Sequence, residues 1–349
     1  MEKEFMIAAR FHEHGDPDVL SIESVPMPQL SDDKILIEMK AAGMNHLDLW
    51  IRKGIPGIQL PMIPGSDGAG VVLDVGKNIS SFQKGDKIMI QPLLFCGKCH
   101  DCKEGHENHC NSFGILGETQ NGTCATHIIV SENNLIKMPT HLSFEEAAGF
   151  SLVAQTSYEM LVNRAHIKEG ETVLIWGASS GVGSIGIQIA KALGCMVIAI
   201  SSSKEKCRKV QSLRADEIIN HNSENVYDKV MDITEQKGVD VVFEHVGQAT
   251  WNTSMKVLKK GGRIVTCGAT TGPKASINLT HIFYKQLSIL GSTMGSFQSM
   301  KEATALLNSQ KIKPIIDSVF SLNDIQKAHS YLESGNQFGK VIIKIPSEL

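Results

Sequence analysis

The sequence lacks both an apolar run long enough to span a membrane and a large excess of charge of either sign. Its 34 Lys and Arg stand against 37 Asp and Glu, which gives a formal net charge of −3. This balance provides no broad field to attract nucleic acid or an anionic membrane, so we expect a small-molecule partner. With 349 residues, 42% of them hydrophobic, the composition is that of a soluble globular protein of about two domains.

From the first residues of the sequence we expect no signal peptide. Within Met1 to Phe5, Glu2 and Glu4 occupy the place of the basic and apolar regions of such a peptide. We therefore expect a cytosolic protein, in which eight cysteines predict free thiols or metal ligands rather than a disulfide framework. Four scattered cysteines are expected to be ordinary thiols, namely Cys124, Cys195, Cys207 and Cys267.

The pattern of apolar residues changes near Gln155. Before it, short β segments broken by glycine and proline predict a β-rich domain. After it, apolar strands alternate with helical stretches, beginning with a strand at Thr172 to Trp176, and this alternation predicts a parallel sheet built from βαβ units. We expect the last strand, Lys340 to Ile345, to rejoin the first domain.

A glycine-rich loop follows the strand at Thr172 to Trp176. Gly181, Gly183 and Gly186 form a G-x-G-x-x-G motif that includes Val182 and that we expect to open a helix at Ile185. In this context Gly181 permits a tight turn, Gly183 lets the backbone approach a pyrophosphate, and Gly186 allows close packing of the helix. The helix N-terminus then stabilises the phosphate charge. The motif predicts a dinucleotide site, and a bare structural turn is the alternative.

The end of the second strand of this fold selects between the two dinucleotides. An NAD enzyme usually has an Asp or Glu there, whereas this chain has Ser201 followed by Ser202. A small hydroxyl leaves room for a 2′-phosphate, and Lys206 is a candidate to neutralise it. The alternative is that the charges from Lys204 to Lys209 only form the solvated face of a helix. Because the acid is missing, the sequence favours NADPH.

Four cysteines lie close together in a polar segment, with the spacing C-x2-C-x2-C-x7-C. They are Cys96, Cys99, Cys102 and Cys110. Four thiolates at this spacing can surround one Zn²⁺ tetrahedrally and leave no open position, so the sequence predicts one structural zinc. Disulfides are the alternative.

With both motifs, the chain is similar to the medium-chain dehydrogenase/reductase superfamily over essentially its whole length. Further matching segments are Gly65 to Gly70, Thr156 to Tyr158, Val239 to Gly247 and Gly261 to Val265. The resemblance implies an α/β protein. A GroES-like β-rich catalytic domain with the zinc lobe would span 1–153, a Rossmann domain with a doubly wound parallel sheet would span 154–289, and 290–349 would return to the catalytic domain.

The same resemblance bears on the cofactor and on assembly. We expect Val246 and Gly268 to contact the dinucleotide, and we expect a homo-oligomer, either a dimer or a tetramer.

The catalytic zinc ligands of this superfamily's alcohol dehydrogenases are replaced. Asn45, Ser66 and Leu152 stand where those enzymes have a cysteine, a histidine and a second cysteine, and Leu47 replaces the hydroxyl that relays the proton. Two neutral oxygen-type side chains and an alkyl group are poor substitutes for thiolate and imidazole ligands. The sequence therefore predicts no catalytic zinc.

The segment Ala42 to Gly54 is similar instead to the quinone oxidoreductase branch, which has Asn, Asp, an aromatic residue and Arg at these places. That branch usually lacks the zinc lobe, and its aromatic residue is commonly Tyr where this chain has Trp50. An indole does not act as an acid, so the resemblance leaves the proton donor open. Hydride transfer is unaffected, because the nicotinamide carries it.

Three candidate residues lie in this segment. Asn45 is predicted to face the substrate or the nicotinamide, or else to hold a turn. His46 matches a position near the pyrophosphate in relatives, or is a generic histidine. Trp50 forms either a wall of the substrate pocket or part of the core.

Three more candidates have equally plain alternatives. Asp48 and Asp67 are either remnants of the surroundings of a zinc site or hydrogen-bonded turn residues, and we favour the turn interpretation for Asp67. The resemblance places Thr156 under the nicotinamide, although a threonine near a helix start is often a cap.

Three functions remain open. The leading hypothesis is an NADPH-dependent reductase of an activated alkene, a quinone or an enoyl thioester such as acryloyl- or crotonyl-coenzyme A. The second is an NAD(P)-dependent alcohol or aldehyde dehydrogenase with an unusual metal site. The third is a non-catalytic protein that binds a cofactor or RNA.

Overall fold

The computed structural model describes residues 4–346 and divides the chain into two units. The first unit comprises Met1–Leu152 and Pro314–Leu349, and the second comprises Val153–Lys313. Met1 to Lys3, which contributed to the prediction that a signal peptide is missing, lie outside the described residues. Within 4–346, no helix combines the length and the apolar character needed to cross a membrane.

The first unit is rich in β structure. Its strands are β1 (Phe5–Arg10), β2 (Ser21–Pro26), β3 (Ile35–Gly43), β4 (Asp67–Val75), β5 (Lys87–Ile90), β6 (Leu93–Leu94), β7 (Gly114–Ile115), β8 (His127–Val130), β9 (Leu135–Lys137), β16 (Ile316–Ser321) and β17 (Lys340–Lys344). Its helices are α1 (His46–Lys53), α2 (His100–Lys103), α3 (Phe144–Ala148) and α11 (Ile325–Glu333). Helix α4 (Ser151–Tyr158) crosses the boundary to the second unit.

Most of these strands join one sheet in the order β16-β17-β3-β4-β5-β9, and β8 also pairs with β3. In β3 the buried Ile35, Ile37 and Met39 alternate with less buried residues, as expected for a strand with one face on a core. The C-terminal strand β17 lies antiparallel to β3, with Ile342 opposite Gly43. The last strand thus rejoins the N-terminal part of the chain, as the sequence predicted.

The second unit alternates strands with helices. Its strands are β10 (Thr172–Ile175), β11 (Met196–Ser201), β12 (Glu217–Asn220), β13 (Val239–Glu244), β14 (Leu258–Thr266) and β15 (Ser288–Gly291). Its helices are α5 (Gly181–Ala192), α6 (Lys204–Gln211), α7 (Val226–Ile233), α8 (Trp251–Val257), α9 (Leu279–Lys285) and α10 (Phe297–Asn308), and a π-helix spans Glu159–Arg164.

All neighbouring strands of the second unit are parallel, in the order β12-β11-β10-β13-β14-β15. Every residue of β13 is buried, which is typical of a central strand covered on both faces. The strand order reverses between β10 and β13, and open sheets of this kind bind ligands at such a reversal. The predicted α/β architecture, a β-rich domain plus a doubly wound parallel sheet, is therefore confirmed.

The boundary expected at residue 289 needs correction. Residues 290–313 belong to the second unit, which ends at Lys313. The reason is that β15 pairs with β14 and that the side chains of Gln155 and Gln188 hold the segment by hydrogen bonds. Gln155 Nε2 donates to Gly295 O at 2.8 Å, and Gln188 Nε2 donates to Lys313 O at 3.0 Å. The return to the first unit therefore begins at Pro314.

Candidate functional site

The four cysteines of the predicted lobe converge in the first unit, around α2. Their sulfur atoms all lie within 4.8 Å of one another, with Cys99 Sγ 3.4 Å from Cys102 Sγ and 3.8 Å from Cys110 Sγ. Tetrahedral ligands about 2.3 Å from a zinc ion would be about 3.8 Å apart, so the donor set fits Zn²⁺. Backbone N–H groups of Lys98 and Cys99 lower the pKa of the Cys96 thiol to about 6, whereas burial and the neighbouring thiols raise the pKa of the Cys102 thiol to about 12.

Asn45 and Asp48 hold the start of helix α1. Asn45 precedes the helix, and its backbone N–H donates to Asp48 Oδ2 at 2.7 Å. The other oxygen, Asp48 Oδ1, accepts the N–H of Gly65 at 2.9 Å, so one buried carboxylate joins the helix to the turn before β4. Burial raises the pKa of Asp48 to about 6 despite these two hydrogen bonds.

Asn45 and Asp67 meet a residue that the sequence did not single out, Lys340. The Lys340 ammonium donates to Asn45 Oδ1 at 2.6 Å and to Asp67 Oδ2 at 2.9 Å. Asn45 Nδ2 donates to the same Asp67 oxygen at 3.0 Å, which closes a triangle of hydrogen bonds. All three residues are buried. We call these residues the Asn45–Asp67–Lys340 cluster.

The interpretation of Asp67 as a turn residue is wrong. Asp67 is the first residue of β4 and is fully buried, and its carboxylate forms an ion pair with Lys340. Its Oδ1 atom accepts the backbone N–H of Leu152 at 2.7 Å. A signal for the missed partner was present, because Lys340 directly follows the glycine turn of Gly339 and directly precedes the apolar run Val341 to Ile343.

The three residues that stand in place of zinc ligands therefore make other contacts. Asn45 belongs to the Asn45–Asp67–Lys340 cluster, and Leu152 contributes only its backbone N–H. The hydroxyl of Ser66 is buried and has no hydrogen-bond partner among residues 4–346. A neutral amide, a lone hydroxyl and an alkyl group do not fit a zinc ion.

His46 and Trp50 lie one turn apart on α1. Both side chains are exposed, and their rings meet edge to face with centroids 5.9 Å apart. Trp50 is thus a surface residue of the first unit rather than part of its core.

The glycine loop of the second unit leads into α5 with a cap. Helix α5 begins at Gly181, four residues earlier than expected, because Ser180 Oγ accepts the N–H of Gly183 at 2.9 Å. The left-handed turn is made by Gly177, whose φ is +56°. A Cβ atom at Gly183 would lie 2.2 Å from Gly177 O, so only glycine fits there. Gly186 packs against Phe243.

Ser201 ends β11, and helix α6 begins three residues later. Ser201 is buried. Ser203 Oγ accepts the N–H of Lys206 at 3.2 Å, which caps α6 and places Lys206 in its first turn. Ser202 and Lys206 are half-buried.

The loop after β13 is organised by a residue that the sequence analysis did not assign a role, Glu244. This fully buried carboxylate accepts the N–H of Val246 at 2.7 Å and the N–H of Gly247 at 3.0 Å, and hydroxyls from α8 and its cap also donate to it. Gly268 follows β14, and a Cβ atom there would lie 3.2 Å from His245 O. Val246 and Gly268 therefore lie on neighbouring loops at the carboxyl ends of these strands.

Thr156 lies inside α4 and is not a cap. Its hydroxyl is buried and has no hydrogen-bond partner among the described residues. The next residue, Ser157, donates its hydroxyl to Val182 O at 3.0 Å and so ties this helix to the glycine loop. Buried hydroxyls are usually hydrogen-bonded, so the orphaned oxygen of Thr156 fits a site for a polar ligand.

Comparisons with known proteins agree with this architecture. An alcohol dehydrogenase GroES-like domain model matches residues 31–140, and a zinc-binding dehydrogenase model matches residues 181–309. The chain is 32% identical to a crotonyl-CoA carboxylase/reductase of Cereibacter sphaeroides, over 93% of this chain and 83% of that protein. It is also 32% identical to a quinone oxidoreductase of Pongo abelii, over 98% of each.

A crystal structure described as an NAD-dependent alcohol dehydrogenase is similar with a TM-score of 0.95 and 38% identity, covering 98% of this chain and 100% of the other. The chain therefore belongs to the medium-chain dehydrogenase/reductase superfamily, and it is an oxidoreductase of that family.

Proposed function

We propose that this protein uses NADPH to reduce an alkene conjugated to a carbonyl, a quinone, or an enoyl thioester such as acryloyl- or crotonyl-coenzyme A. The observation that carries the proposal is the Asn45–Asp67–Lys340 cluster, which occupies the region where alcohol dehydrogenases of this family need metal ligands. Two relatives support the proposal by their names, which are crotonyl-CoA carboxylase/reductase and quinone oxidoreductase.

The chemistry follows from the donor set of the first unit. Oxidation of a simple alcohol needs a Lewis acid to stabilise the alkoxide, and neither an amide nor an ammonium ion supplies one. A conjugated acceptor is already polarised, so its oxygen needs only hydrogen bonds while the negative charge develops. In our proposal Asn45 gives such a hydrogen bond to the acceptor oxygen, and the α-carbon takes its proton from water.

The second unit would hold the cofactor, which supplies a hydride when bound. The N-terminus of α5, with Gly181, Val182 and Gly183, would bind the pyrophosphate, because its backbone N–H groups and dipole favour an anion. Ser201, Ser202 and Lys206 would receive the 2′-phosphate. Val246 and Gly268 would contact the dinucleotide, and Thr156 would give its orphaned hydroxyl to the nicotinamide carboxamide.

We further propose that Cys96, Cys99, Cys102 and Cys110 hold one structural Zn²⁺, which would order the lobe around α2. A cytosolic location agrees with this assignment, since a reducing compartment keeps the thiols available for metal.

A homodimer formed through β15 is also proposed. Strand β15 ends the parallel sheet, and no strand of residues 4–346 pairs with its outer edge. Ile289 on this strand and Leu279, Phe283 and Tyr284 on the neighbouring α9 are exposed apolar side chains. An edge strand of this kind pairs readily with a second copy of itself across a twofold axis, which also covers the apolar surface.

The alternative function is the oxidation of alcohols, favoured by the name of the similar crystal structure. To separate the two, NADPH oxidation is measured against enones, quinones, enoyl thioesters and aldehydes, alongside NADP⁺ and NAD⁺ reduction with simple alcohols. We expect turnover with at least one conjugated acceptor and little or none with ethanol-like alcohols. Zinc-dependent oxidation of simple alcohols without reduction of any conjugated acceptor would overturn the proposal.

A further inference from the structure

We propose that Lys340 is a positioning residue for the reduction. It fixes the Asn45 carboxamide so that an N–H group of that amide donates a hydrogen bond to the acceptor oxygen, on which negative charge develops. The inference rests on the proposed function and names a residue that acts through Asn45 rather than on the substrate. It starts from the strand that carries the lysine.

Lys340 is an unusual residue for its place. It begins β17, whose next three residues, Val341, Ile342 and Ile343, are fully buried and apolar. The Lys340 side chain is only 4% exposed, so its charge is removed from water. A buried ammonium ion is unfavourable unless it is paired and hydrogen-bonded, and an apolar side chain of similar volume is often at least as stable. Stability alone therefore gives little reason for a lysine here.

The chemistry of the three partners allows only one orientation of the Asn45 amide. Lys340 can only donate hydrogen bonds, and the Asp67 carboxylate can only accept them. Asn45 must therefore turn Oδ1 to Lys340, at 2.6 Å, and Nδ2 to Asp67, at 3.0 Å. The ammonium ion thus removes the ambiguity between the two ends of an asparagine side chain and polarises the amide toward a stronger N–H donor.

Two hydrogen-bond donors of the cluster are left with little to do, namely the third N–H of the Lys340 ammonium and the second N–H of the Asn45 amide. The Asp67 carboxylate already accepts three hydrogen bonds, from Lys340, Asn45 and Leu152. The second N–H of Asn45 makes only a long contact, 3.4 Å, to Gly43 O. This weak bond is easily exchanged for one to an oxygen that gains negative charge, which is how preorganised donors accelerate such reactions.

The test separates this role from a merely structural one. Lys340→Met alone leaves the Asp67 charge buried and unpaired and is expected to destabilise the protein. Asp67→Asn/Lys340→Met removes both charges at nearly constant volume. Lys344→Met, a change of an exposed lysine on the same strand, is the control. For each protein we would measure the melting temperature, the NADPH dissociation constant, and kcat and KM for an enoyl thioester and a quinone.

We expect the double variant to keep its melting temperature and NADPH affinity while kcat for the enoyl thioester falls about 30-fold, with KM little changed, because the lost interaction belongs to the transition state. The loss should be smaller with the quinone, whose reduced oxygen is the weaker base. Parental kcat in a folded double variant would overturn the inference. If the double variant does not fold, Lys340→Arg decides: with an unchanged melting temperature it should retain at least about a tenth of kcat because it keeps the charge, and a larger loss would overturn the inference.

The proposed function can fail separately from this inference. If the unmodified protein turns over no conjugated acceptor, the proposed function is wrong and the role of Lys340 in it is wrong as well. If the unmodified protein turns over the enoyl thioester and the folded double variant does so equally well, only the inference about Lys340 is wrong.

Discussion

At the scale of single residues, Asp48 combines full burial with two hydrogen bonds from backbone N–H groups. Two charged side chains act on its pKa in opposite directions, since Lys340 favours the carboxylate and Asp67 disfavours it. Burial has the largest effect and raises the pKa from 3.8 to about 6. When folding raises the pKa of a carboxyl group, the group stabilises the folded state at pH values below its unfolded pKa. For Asp48 this stabilisation is lost as the pH rises through about 6.

We therefore expect the stability of the unmodified protein, relative to Asp48→Asn, to fall by about 1 kcal/mol between pH 5 and pH 7. Denaturant unfolding at several pH values measures this difference, and Asp228→Asn, a change of an exposed aspartate in α7, is the control. A difference that stays constant or grows with pH would show that Asp48 is not protonated near pH 6.

Cofactor preference is also decided by single residues. Without an acid at Ser201, NADPH should bind more tightly than NADH by about 1–3 kcal/mol, the range of one charged hydrogen bond. Ser201→Asp should reverse this order, because its carboxylate repels the 2′-phosphate and accepts hydrogen bonds from the ribose hydroxyls. Fluorescence titration with both cofactors measures the change, and Ser330→Asp adds the same charge at an exposed position of the first unit. Equal affinities in the unmodified protein would contradict the prediction.

The sequence indicated Asn45 and Asp67 as candidates, but it did not indicate that Lys340 joins them in one cluster. Local patterns report on neighbours within a few positions, whereas Lys340 lies 295 positions after Asn45 and 273 after Asp67. The charge of Asp67 was assigned to a turn because a buried ion pair is visible only when both partners are placed. The roles of Asn45, His46, Trp50 and Thr156 toward a substrate or cofactor stay predictions.

At the scale of elements, the zinc lobe is a segment with short secondary structure and four converging sulfur atoms. Metal analysis of the purified protein should find one zinc per chain. Cys102→Ser should lose most of that zinc and lower the melting temperature, because the metal substitutes for an apolar core. Cys207→Ser, a change outside the lobe, should keep one zinc. No bound zinc, or a second tightly held equivalent, would contradict the account of this metal.

Periodicity predicted the strands of the second unit well, since a buried parallel strand is a short apolar run flanked by glycine or polar residues. The start of α5 was placed too late because glycines were expected to stay outside the helix, whereas Ser180 caps it before Gly181. The boundary at residue 289 failed for another reason. A strand at the edge of a sheet carries no sequence mark of the sheet it joins, and β15 (Ser288–Gly291) is such a strand.

At the scale of the whole molecule, the proposed dimer predicts a particle of two chains. Ile289→Lys places a charge on the outer edge strand and should shift the mass in light scattering from two chains toward one, because a lysine opposes strand pairing there. Val319→Lys changes another exposed apolar residue, in the first unit, and this variant should stay dimeric. A monomeric parent protein, or an Ile289→Lys variant that remains a dimer, would show that β15 is not the interface.

The measurement that tests the central claim most directly follows the hydride itself. The protein, with its zinc content known, is given NADPH deuterated at C4 of the nicotinamide, with each face labelled in turn, and an enoyl thioester such as crotonyl-coenzyme A. The account predicts that one of the two labelled cofactors delivers deuterium to the β-carbon of a saturated thioester, without a catalytic metal. A reduced thioester without deuterium at that carbon, or label transferred only to the carbonyl carbon of an aldehyde, would contradict it.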